Sequence, residues 1–477
     1  MSNCDLAAIL RRFGQEHLLG FWPHLDGQQR ESLARQIRGI DFPLIEKLYA
    51  ERHDQSNFRD LAMRAAQPAA FRLSAGRNRF SLAEARERGH QAVAAGQVGV
   101  ILVAGGQGTR LGFDHPKGQF SIGPVSGRSL FQIHFEKILA TAHRHGVRIP
   151  LYLMTSPATH EETLRFLAAH DRFGMAAEDL HVFCQGTMPV VDAATGQLLL
   201  EAPDRVAVSP NGHGGMLAAF AESGAMADAE GRGIRQLFYF QVDNPLVDIA
   251  GAETIGYHIL SAAEMTSQVI TKRDPLEKVG NVVDVDGRLL VIEYSDLPDD
   301  IARQTSADGS LVIWAGSIAV HVFDLDFLRR AKDQADSLPY HFAQKKVASI
   351  DVEHGYTVPG RRVEATKPNA IKFERFIFDL MPSARNAIVV EVDPVSAFAP
   401  LKNASGAAAD TPESVQAQIS ALHRQWLRDT GVEVAEGIAV EISPWFALDA
   451  EELRGKVRPG LKITAPTYFA VGWDEIA

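Results

Sequence analysis

The sequence contains very little cysteine. Cys4 and Cys184 are the only two among 477 residues, and no Cys-x-x-Cys pair occurs. This count excludes a disulfide framework and a cysteine-based zinc site, so we expect a protein of a reducing compartment. The start of the chain also lacks a basic segment followed by a long apolar core, and no stretch reaches the roughly 20 apolar residues that a membrane helix needs. We therefore expect a cytoplasmic protein that contacts no membrane.

The sequence also contains fewer basic than acidic residues. The 48 Lys and Arg residues are outnumbered by 59 Asp and Glu residues, which gives a formal net charge of −11. A chain with this balance has no general attraction for nucleic acid, so we expect no such partner, and an anionic ligand must meet a local basic site. A sustained heptad repeat and a long apolar stripe are absent as well, so no protein partner is evident.

The apolar residues that are present change their spacing along the chain. Residues 5–65 carry them at helical spacing, whereas from Gly99 onward short apolar runs alternate with helical stretches, as in βα units. Asp286-Gly287 supplies the positive φ of a tight hairpin, so the sheet should include an antiparallel portion. We expect strands at 98–104, 151–155, 181–184, 237–242, 268–271 and 387–392, and helices at 129–145, 158–169, 215–229, 250–263 and 412–429.

These patterns predict an α/β protein with a mixed, mostly parallel sheet flanked by helices. At roughly 150 residues per domain the length allows about three parts. We expect an N-terminal helical region over 1–75, a central domain over 76–390 and a small C-terminal α/β domain over 391–477. In the last of these, residues 437–469 form a β unit that reads as short strands without helices.

A glycine-rich loop follows the first strong strand pattern. Gly105-Gly106-Gln107-Gly108-Thr109-Arg110 comes directly after an apolar run, and its glycines leave backbone N–H groups open to a phosphate. Arg110 and Lys117 add two cations to the same loop, which suits a triphosphate or a pyrophosphate leaving group.

Three other interpretations of this loop can be compared. A dinucleotide-binding fold expects a helix directly after the glycines and an acid about 20 residues on, but Pro116 breaks the helix and residues 129–145 are helical there. A nicotinamide oxidoreductase is therefore disfavoured. A P-loop requires Gly-Lys-Ser/Thr, which does not occur at the right spacing. A plain connection between two elements remains open.

Asp243 ends a second apolar run, Tyr239-Phe-Gln-Val-Asp-Asn. The carboxyl end of a strand is where α/β folds place ligand-binding groups, and a carboxylate there suits Mg²⁺. From these residues alone, a cap for a following helix is an equally good interpretation.

Several segments together resemble a known family. They are Leu102-Val-Ala-Gly-Gly-Gln-Gly-Thr-Arg-Leu-Gly, Pro116-Lys-Gly, Ile122-Gly and Ser126-Gly-Arg-Ser-Leu-Phe-Gln. This order is similar to the signature of eukaryotic-type UDP-sugar pyrophosphorylases, above all UDP-N-acetylhexosamine pyrophosphorylases. The likeness extends to residues 15–22 and 440–444.

The resemblance implies a Rossmann-like, GT-A-like nucleotidyltransferase fold in the central domain. It also implies the reaction of UTP with a sugar 1-phosphate to give a UDP-sugar and pyrophosphate, with Mg²⁺, or alternatively Mn²⁺. Such a reaction needs no nucleophilic side chain, because the sugar phosphate oxygen attacks the α-phosphorus in line while the protein positions and neutralises charge.

The resemblance also assigns residues to roles. The catalytic cations are Arg110, Lys117 and Lys372, and Asp243 is the metal ligand. Nucleotide contacts are expected from Leu102, Ala104, Gly105, Gly106, Gly108, Thr109, Gln185, Gly212 and Asp243. Sugar contacts are expected from His213, Gly280, Glu293, Tyr294 and Val320, and Lys402 is a further candidate cation.

Two departures from the family pattern bear on the sugar. The N-acetylhexosamine enzymes usually carry Asn at the position of His213, and an Asn that contacts the acetamido group stands where this chain has Val320. Residues 367–382 and 401–412 nevertheless resemble that branch. We expect N-acetylglucosamine 1-phosphate or N-acetylgalactosamine 1-phosphate, with glucose 1-phosphate or a broad specificity as the alternative. A non-catalytic UDP-sugar sensor is less favoured, because every catalytic-type position is filled.

Overall fold

The computed structural model describes residues 3–52, 56–74, 76, 78–333, 338–352, 355–356 and 360–472. The helices are α1 (Asn3–Arg12), α2 (Gly27–Arg38), α3 (Phe42–Glu51), α4 (Ser56–Arg64), α5 (Leu82–Ala94), α6 (Leu130–His145), α7 (His160–Ala169), α8 (Met216–Glu222), α9 (Ala225–Gly231), α10 (Ala252–Leu260), α11 (Asp299–Ala302), α12 (Leu325–Lys332), α13 (Pro394–Ala397), α14 (Pro412–Asp429) and α15 (Ala450–Leu453).

The strands are mostly short. They are β1 (Ala70–Phe71), β2 (Val98–Val103), β3 (Leu151–Thr155), β4 (Leu180–Cys184), β5 (Thr187–Pro189), β6 (Val191–Asp192), β7 (Leu200–Ala202), β8 (Arg205–Val206), β9 (Val208–Pro210), β10 (Gln236–Gln241), β11 (Met265–Thr271), β12 (Gly280–Val285), β13 (Arg288–Ile292), β14 (Ala315–Asp324), β15 (His341–Lys345), β16 (Ser349–Ile350), β17 (Arg362–Val363), β18 (Ala370–Glu374), β19 (Ala387–Glu391), β20 (Glu433–Val434), β21 (Val440–Ile442), β22 (Lys462–Ile463) and β23 (Thr467–Phe469).

The chain forms two compact units. The smaller unit gathers Met1–Asn57, Gln185–Met216 and Asp336–Asp379, and the larger unit contains the remaining segments. These units cut across the three consecutive ranges expected from the sequence, because segments far apart in the chain pack together. The division into 1–75, 76–390 and 391–477 stays a prediction about domains.

A ten-stranded sheet forms the centre of the larger unit. Its strands run in the order β1-β19-β11-β14-β10-β2-β3-β4, and the hairpin β12–β13 joins at β14. The pairs β1–β19, β19–β11, β10–β2, β2–β3 and β3–β4 are parallel, whereas β14 and the hairpin pair antiparallel. The predicted mixed, mostly parallel sheet is therefore confirmed.

The main hydrophobic core lies between this sheet and helix α6. Leu102, Phe131, Phe135 and Phe240 are fully buried in it. Helix α6 begins at Ser129, whose hydroxyl accepts a hydrogen bond from the Gln132 amide, and it ends where the chain turns left-handed after His145. Burying each large apolar side chain contributes about 1.5–3 kcal/mol, so this core fixes α6 firmly to the sheet.

The smaller unit packs its N-terminal helices onto short strands. Leu6, Leu33 and Phe42 share a core with Ile371 and Phe373 of β18. Strands β15, β18 and β6 form an antiparallel sheet there. The expectation of helices in residues 5–65 is confirmed for the described residues, while 53–55 lie outside them.

Two local predictions need correction. The helix expected over 215–229 is two helices, α8 and α9, because Gly224 between them has φ 83°. The C-terminal tail, expected to hold strands without helices, contains the one-turn helix α15, whose first turn is capped by the Asp449 side chain. A four-residue helix is too short to leave a periodic pattern in the sequence. The hairpin at Asp286 and Gly287 is confirmed, with φ values of 54° and 80°.

Cys184 ends strand β4, where burial raises the pKa of its thiol, and the side chain of Cys4 lies outside the described part of the chain. Within the described ranges, none of the helices has both the length and the apolar character needed to cross a bilayer.

Helices α5 and α10 approach each other closely at two glycines. A Cβ atom at Gly256 would lie 1.7 Å from the Ala85 carbonyl oxygen, and one at Gly89 would lie 1.8 Å from the Ala252 carbonyl oxygen. Because backbone atoms cannot rotate away as a side chain can, we expect Gly256→Ala to lower the free energy of unfolding by about 2–3 kcal/mol.

Urea denaturation of the two proteins measures this difference. Gly231→Ala is the matched control, since Gly231 ends helix α9 and a Cβ atom there would meet no heavy atom within 4 Å apart from its chain neighbours and the backbone of its own helix. This control should change stability by less than about 1 kcal/mol. Equal stabilities for Gly256→Ala and the wild type would contradict the close packing.

Candidate active site

The glycine loop and Asp243 follow neighbouring strands of the larger unit. Strands β2 and β10 pair in parallel, and Val103 lies opposite Gln241 at their carboxyl ends. The Val242 amide extends the ladder by donating to the Val103 carbonyl at 3.0 Å. Strand β2 has β10 on one side and β3 on the other, so the strand order reverses at β2. In α/β sheets, ligands bind in the crevice at the carboxyl ends of the strands where the order reverses.

The glycine loop closes on itself through its backbone. The Lys117 amide donates to the Gly106 carbonyl at 3.0 Å, and the Gly108 amide donates to the His115 carbonyl at 2.8 Å. A Cβ atom at Gly108 would lie 2.7 Å from the Phe113 carbonyl oxygen, so this turn needs glycine. The loop therefore brings Lys117 back beside Gly106, as expected for one phosphate-binding element.

Lys117 and Asp243 face each other. The Lys117 ammonium lies 3.8 Å from the Asp243 carboxylate and donates to the Leu401 carbonyl at 3.3 Å. The Leu401 amide in turn donates to the Asp243 main-chain oxygen at 2.8 Å. Both side chains are mostly but not fully buried, at 19% and 16% exposure, so a ligand can still reach them.

Asn244 fixes the turn that follows Asp243. Its amide nitrogen donates to the Ala397 carbonyl at 2.8 Å, and its oxygen accepts from the amides of Leu246 and Ala399 at 3.2 and 3.1 Å. Asn244 is only 3% exposed, so these bonds form away from solvent. The sequence placed Asn244 beside Asp243 but gave it no role, and its partners at 397–399 lie far along the chain.

Arg110 and Lys402 differ from Lys117 in their surroundings. Arg110 is exposed on the turn Thr109–Leu111, and it makes no ion pair with any described residue. The Lys402 ammonium lies 5.6 Å from the centre of the Phe398 ring. Burial raises the pKa of Asp410, the Lys402 charge opposes that rise, and the nearby Asp243 carboxylate adds to it. Lys402 and Asp410 therefore belong to the electrostatic environment of Asp243; the sequence placed Asp410 in the family-like segment 401–412 but gave it no role.

Gly280 and Glu293 meet across the hairpin. A Cβ atom at Gly280 would lie 3.1 Å from a Glu293 carboxylate oxygen and 3.9 Å from the Ser317 Cβ. Gly280 also pairs with Ser317 in the sheet. Glu293 and Ser317 are thus both neighbours of Gly280, and we call these three residues the hairpin group. Sequence reasoning missed Ser317 because the pairing of β12 with β14 leaves no local signal.

Tyr294 does not share that group. Tyr294 lies in the turn after β13, and it lines a cavity of about 170 Å³ together with Asn281. Val320 is 1% exposed and belongs to the main hydrophobic core, so its side chain offers no surface to a ligand. Leu102 and Ala104 are equally buried and present only their backbone. The expected ligand contacts of these four residues stay predictions.

Part of the signature segment contacts the C-terminal β unit rather than the glycine loop. The Glu441 carboxylate of β21 accepts hydrogen bonds from the amides of Val125 and Ser126 at 2.8 and 2.7 Å. Arg128 pairs with Glu136 and lies 4.9 Å from the centre of the Tyr468 ring. Residues 125–128 therefore attach strands β21 and β23 within the larger unit.

In the smaller unit, Gly212 and His213 lie against the chain after β18. The Gly214 amide donates to the Arg375 carbonyl at 2.7 Å, and the Ile377 amide donates to the His213 Nδ1 at 3.2 Å. The His213 ring stacks on Phe376 with centroids 5.0 Å apart. Burial, aided by nearby His341, lowers the pKa of His213 to about 3. The His213 imidazole is therefore neutral, and because its Nδ1 accepts from the Ile377 amide, its proton lies on Nε2.

The remaining predicted residues of the smaller unit are Gln185 and Lys372. Gln185 follows β4 and is 7% exposed. Lys372 is half-buried in the middle of β18, opposite Ala343 of β15. The predicted residues therefore fall into two groups, with the glycine loop, Asp243 and the hairpin in one unit and Gln185, Gly212, His213 and Lys372 in the other.

Lys272 is hydrogen-bonded to the start of the β12–β13 hairpin. Its ammonium donates to the Asn281 side-chain oxygen at 2.7 Å and to the Pro275 carbonyl at 3.1 Å. Lys272 is 5% exposed, and burial lowers its pKa to about 8. A buried charge held by neutral oxygens thus fixes the start of β12, one residue from Gly280.

The donor set around Asp243 fits a metal that binds mainly through substrate. Among the described residues, no three His, Cys, Asp or Glu side chains come together as a metal site. Mg²⁺ is commonly held by one or two carboxylates together with phosphates and water. A single carboxylate beside a phosphate-binding loop matches that pattern.

Comparison with known proteins gives consistent likenesses. The sequence profile of the UTP–glucose-1-phosphate uridylyltransferase family matches residues 44–430. UDP-N-acetylglucosamine pyrophosphorylase from Saccharomyces cerevisiae is 37% identical over 77% of this chain and 78% of its own length. UDP-N-acetylglucosamine diphosphorylase 2 from Arabidopsis thaliana is 34% identical over 98% of this chain and 94% of its own length. The crystal structure of a UDP-N-acetylglucosamine pyrophosphorylase from Trypanosoma brucei with an inhibitor is 26% identical, covers 99% of both chains and superposes with a TM-score of 0.77.

The buried Lys272 gives a pH-dependent expectation. Between pH 8 and about 10.4 the folded protein has released the Lys272 proton while the unfolded chain still holds it, so stability rises with pH in this window. Methionine cannot titrate. We expect the free energy of unfolding of the wild type, relative to Lys272→Met, to rise by roughly 2 kcal/mol from pH 7 to 9.5.

Urea denaturation of both proteins at the two pH values provides the measurement. Other titrating groups cancel in the difference, because they are common to the two proteins. A difference that stays constant with pH would contradict the buried, protonated Lys272.

Proposed function

Since the chain belongs to the UTP–glucose-1-phosphate uridylyltransferase family, we propose that it transfers the uridylyl group of UTP to N-acetylglucosamine 1-phosphate, which yields UDP-N-acetylglucosamine and pyrophosphate. The observation that carries this proposal is the closed glycine loop beside the Lys117–Asp243 pair at adjacent strand ends. A cytoplasmic location, expected from the scarcity of cysteine, belongs to the same proposal.

The reaction is an in-line displacement at phosphorus. An oxygen of the sugar phosphate forms a bond to the α-phosphorus, and the bond from that phosphorus to the oxygen bridging the α- and β-phosphates breaks, so pyrophosphate leaves. Negative charge grows on the leaving group, and the amides of the glycine loop with Lys117 and Arg110 can stabilise it. The ion pair of Lys117 with Asp243 holds the lysine ready before the substrate binds.

Lys372, in the smaller unit, is the third cation that the family resemblance leads us to expect. In that unit, Gln185 offers an amide donor and acceptor for a uracil edge, and neutral His213 offers its Nε2 proton. Asp243 would hold Mg²⁺, which when bound neutralises phosphate charge and polarises the phosphoryl oxygens. Each of these assignments is an expectation about one side chain and can be tested separately.

The hairpin group fits a sugar. Glu293 supplies a carboxylate acceptor, Ser317 a hydroxyl, and Gly280 a backbone without an obstructing side chain. Hydroxyl groups of a hexose require such acceptors, and a site built around them rejects ligands that leave them unpaired. N-acetylgalactosamine 1-phosphate and glucose 1-phosphate are the nearest alternatives to the proposed substrate.

A panel of sugar 1-phosphates tests the proposal. The purified protein is incubated with UTP, Mg²⁺ and each sugar phosphate, and released pyrophosphate is measured. We expect kcat/KM to be highest for N-acetylglucosamine 1-phosphate. A higher value for glucose 1-phosphate would overturn the sugar assignment, and no release with any sugar would overturn the activity and favour a binding protein.

The cations give a second expectation. Lys117→Ala and Lys372→Ala should each lower kcat by at least about 100-fold, because each removes one charge partner of the transition state. Lys345→Ala is the matched control, since Lys345 is an exposed lysine at the end of β15. Its kcat should stay within about twofold of the wild type. Wild-type turnover in either Lys117→Ala or Lys372→Ala would refute the role of that residue.

A further inference from the structure

Two side chains of helix α6 donate hydrogen bonds to backbone carbonyl oxygens at the end of β10 and in the turn that follows it. The Lys137 ammonium donates to the carbonyls of Pro245 and Val247 at 2.7 and 3.0 Å. One turn earlier on the helix, His134 Nε2 donates to the Val242 carbonyl at 2.9 Å. The three bonded carbonyls flank Asp243 on both sides, so α6 fixes the backbone before and after this residue.

The two donors of α6 differ in charge. Burial lowers the pKa of His134 to about 3, so its imidazole is neutral. Burial also lowers the pKa of Lys137, to about 8, and the acid that opposes this effect is Asp248. At neutral pH Lys137 therefore holds the turn as an ammonium group, and hydrogen bonds from a charged donor are stronger than those from a neutral one.

This charge is held at a cost to stability. Burying an ammonium group is unfavourable, and the two carbonyl oxygens together with the Asp248 charge offset this cost only in part, since the pKa of Lys137 stays lowered. An apolar chain of similar length would fill the same space without that cost. Packing alone therefore does not account for a lysine at this position. Its two hydrogen bonds order the backbone of residues 245–247.

The other side of the turn is held independently. The Leu401 amide bonds the Asp243 carbonyl, and Asn244 bonds the segment 397–399. The Asp243 side chain is the part of the turn that remains directed at Lys117. The position of this carboxylate is therefore set by two groups of hydrogen bonds, which we call clamps. One is made by residues 397–401 and the other by the α6 side chains.

We propose that Lys137 is a positioning residue for Asp243: its ammonium holds the turn 245–247 by two carbonyl oxygens and thereby sets the position of the Asp243 carboxylate at the phosphate site. The inference rests on the proposed uridylyl transfer, and it assigns Lys137 no contact with substrate. A misplacement of a positioning group by about 1 Å costs on the order of 100-fold in rate.

Lys137→Met tests this role, because methionine keeps the length of the side chain and removes its donors. We expect kcat to fall by about 10- to 100-fold. The Mg²⁺ concentration for half-maximal rate should rise by at least tenfold, while the KM for the sugar 1-phosphate stays within twofold. A residue that only supports the fold would instead change all three values in parallel with stability.

A second readout does not depend on catalysis. Amide hydrogen exchange of the peptide covering 242–249 should be at least tenfold faster in Lys137→Met than in the wild type, with exchange in β14 unchanged. If the wild type releases no pyrophosphate with any sugar phosphate, the proposed function fails, and this exchange measurement still tests the clamp.

Lys456→Met serves as the control, since Lys456 also donates to a backbone carbonyl, that of Phe446, within the same unit. It should leave the Mg²⁺ dependence and the 242–249 exchange unchanged. If Lys137→Met does not fold, Lys137→Gln, which keeps one amide donor group, replaces it and should show the same changes at smaller size. Wild-type Mg²⁺ dependence together with wild-type exchange in a folded variant would overturn the proposal.

Discussion

The parallel pairing of β2 with β10 is the constraint on which the candidate site depends. It aligns the carboxyl ends of two strands that are more than a hundred residues apart, and it makes the Val242 amide bond the Val103 carbonyl. The glycine loop and the Asp243 turn therefore start from the same edge of the sheet. The strand register thus brings the two segments together, and the Lys117–Asp243 contact then fixes their side chains relative to each other.

Three lysines of the larger unit show how differently one side chain can be used. Lys117 faces a carboxylate and stays within reach of solvent, so its charge is available to a ligand. Lys137 and Lys272 are bound by neutral oxygens, and burial lowers the pKa of each to about 8. One of these ammonium groups bonds the backbone of the turn after Asp243, and the other bonds the Asn281 side chain at the start of the β12–β13 hairpin. The candidate site thus includes two buried charges whose hydrogen bonds go to other parts of the chain.

Sequence reasoning succeeded where the signal is local. Strands β2, β3 and β10, the hairpin at Asp286 and the long helix α14 were predicted from apolar spacing and turn chemistry, and the glycine loop was identified with its cations. It failed where a contact needs two distant segments. Ser317 joins Gly280 only through the pairing of β12 with β14, and Leu401 acts through its backbone, which no residue type reveals. Val320 is a different case: the family position predicts a sugar contact, the side chain lies in the core, and the contact stays a prediction.

The discontinuous smaller unit has a consequence for biosynthesis. Its core joins Leu6 and Leu33 to Phe373, so the first helices gain their last apolar partners only when the third segment, Asp336–Asp379, has been made. At roughly 5–20 residues per second, the ribosome takes on the order of half a minute to add the intervening chain. During that time the apolar faces of α1 and α2 are without those partners, so they present a binding surface for chaperones. A nascent chain stopped before β18 would carry these helices without the strand that completes their core.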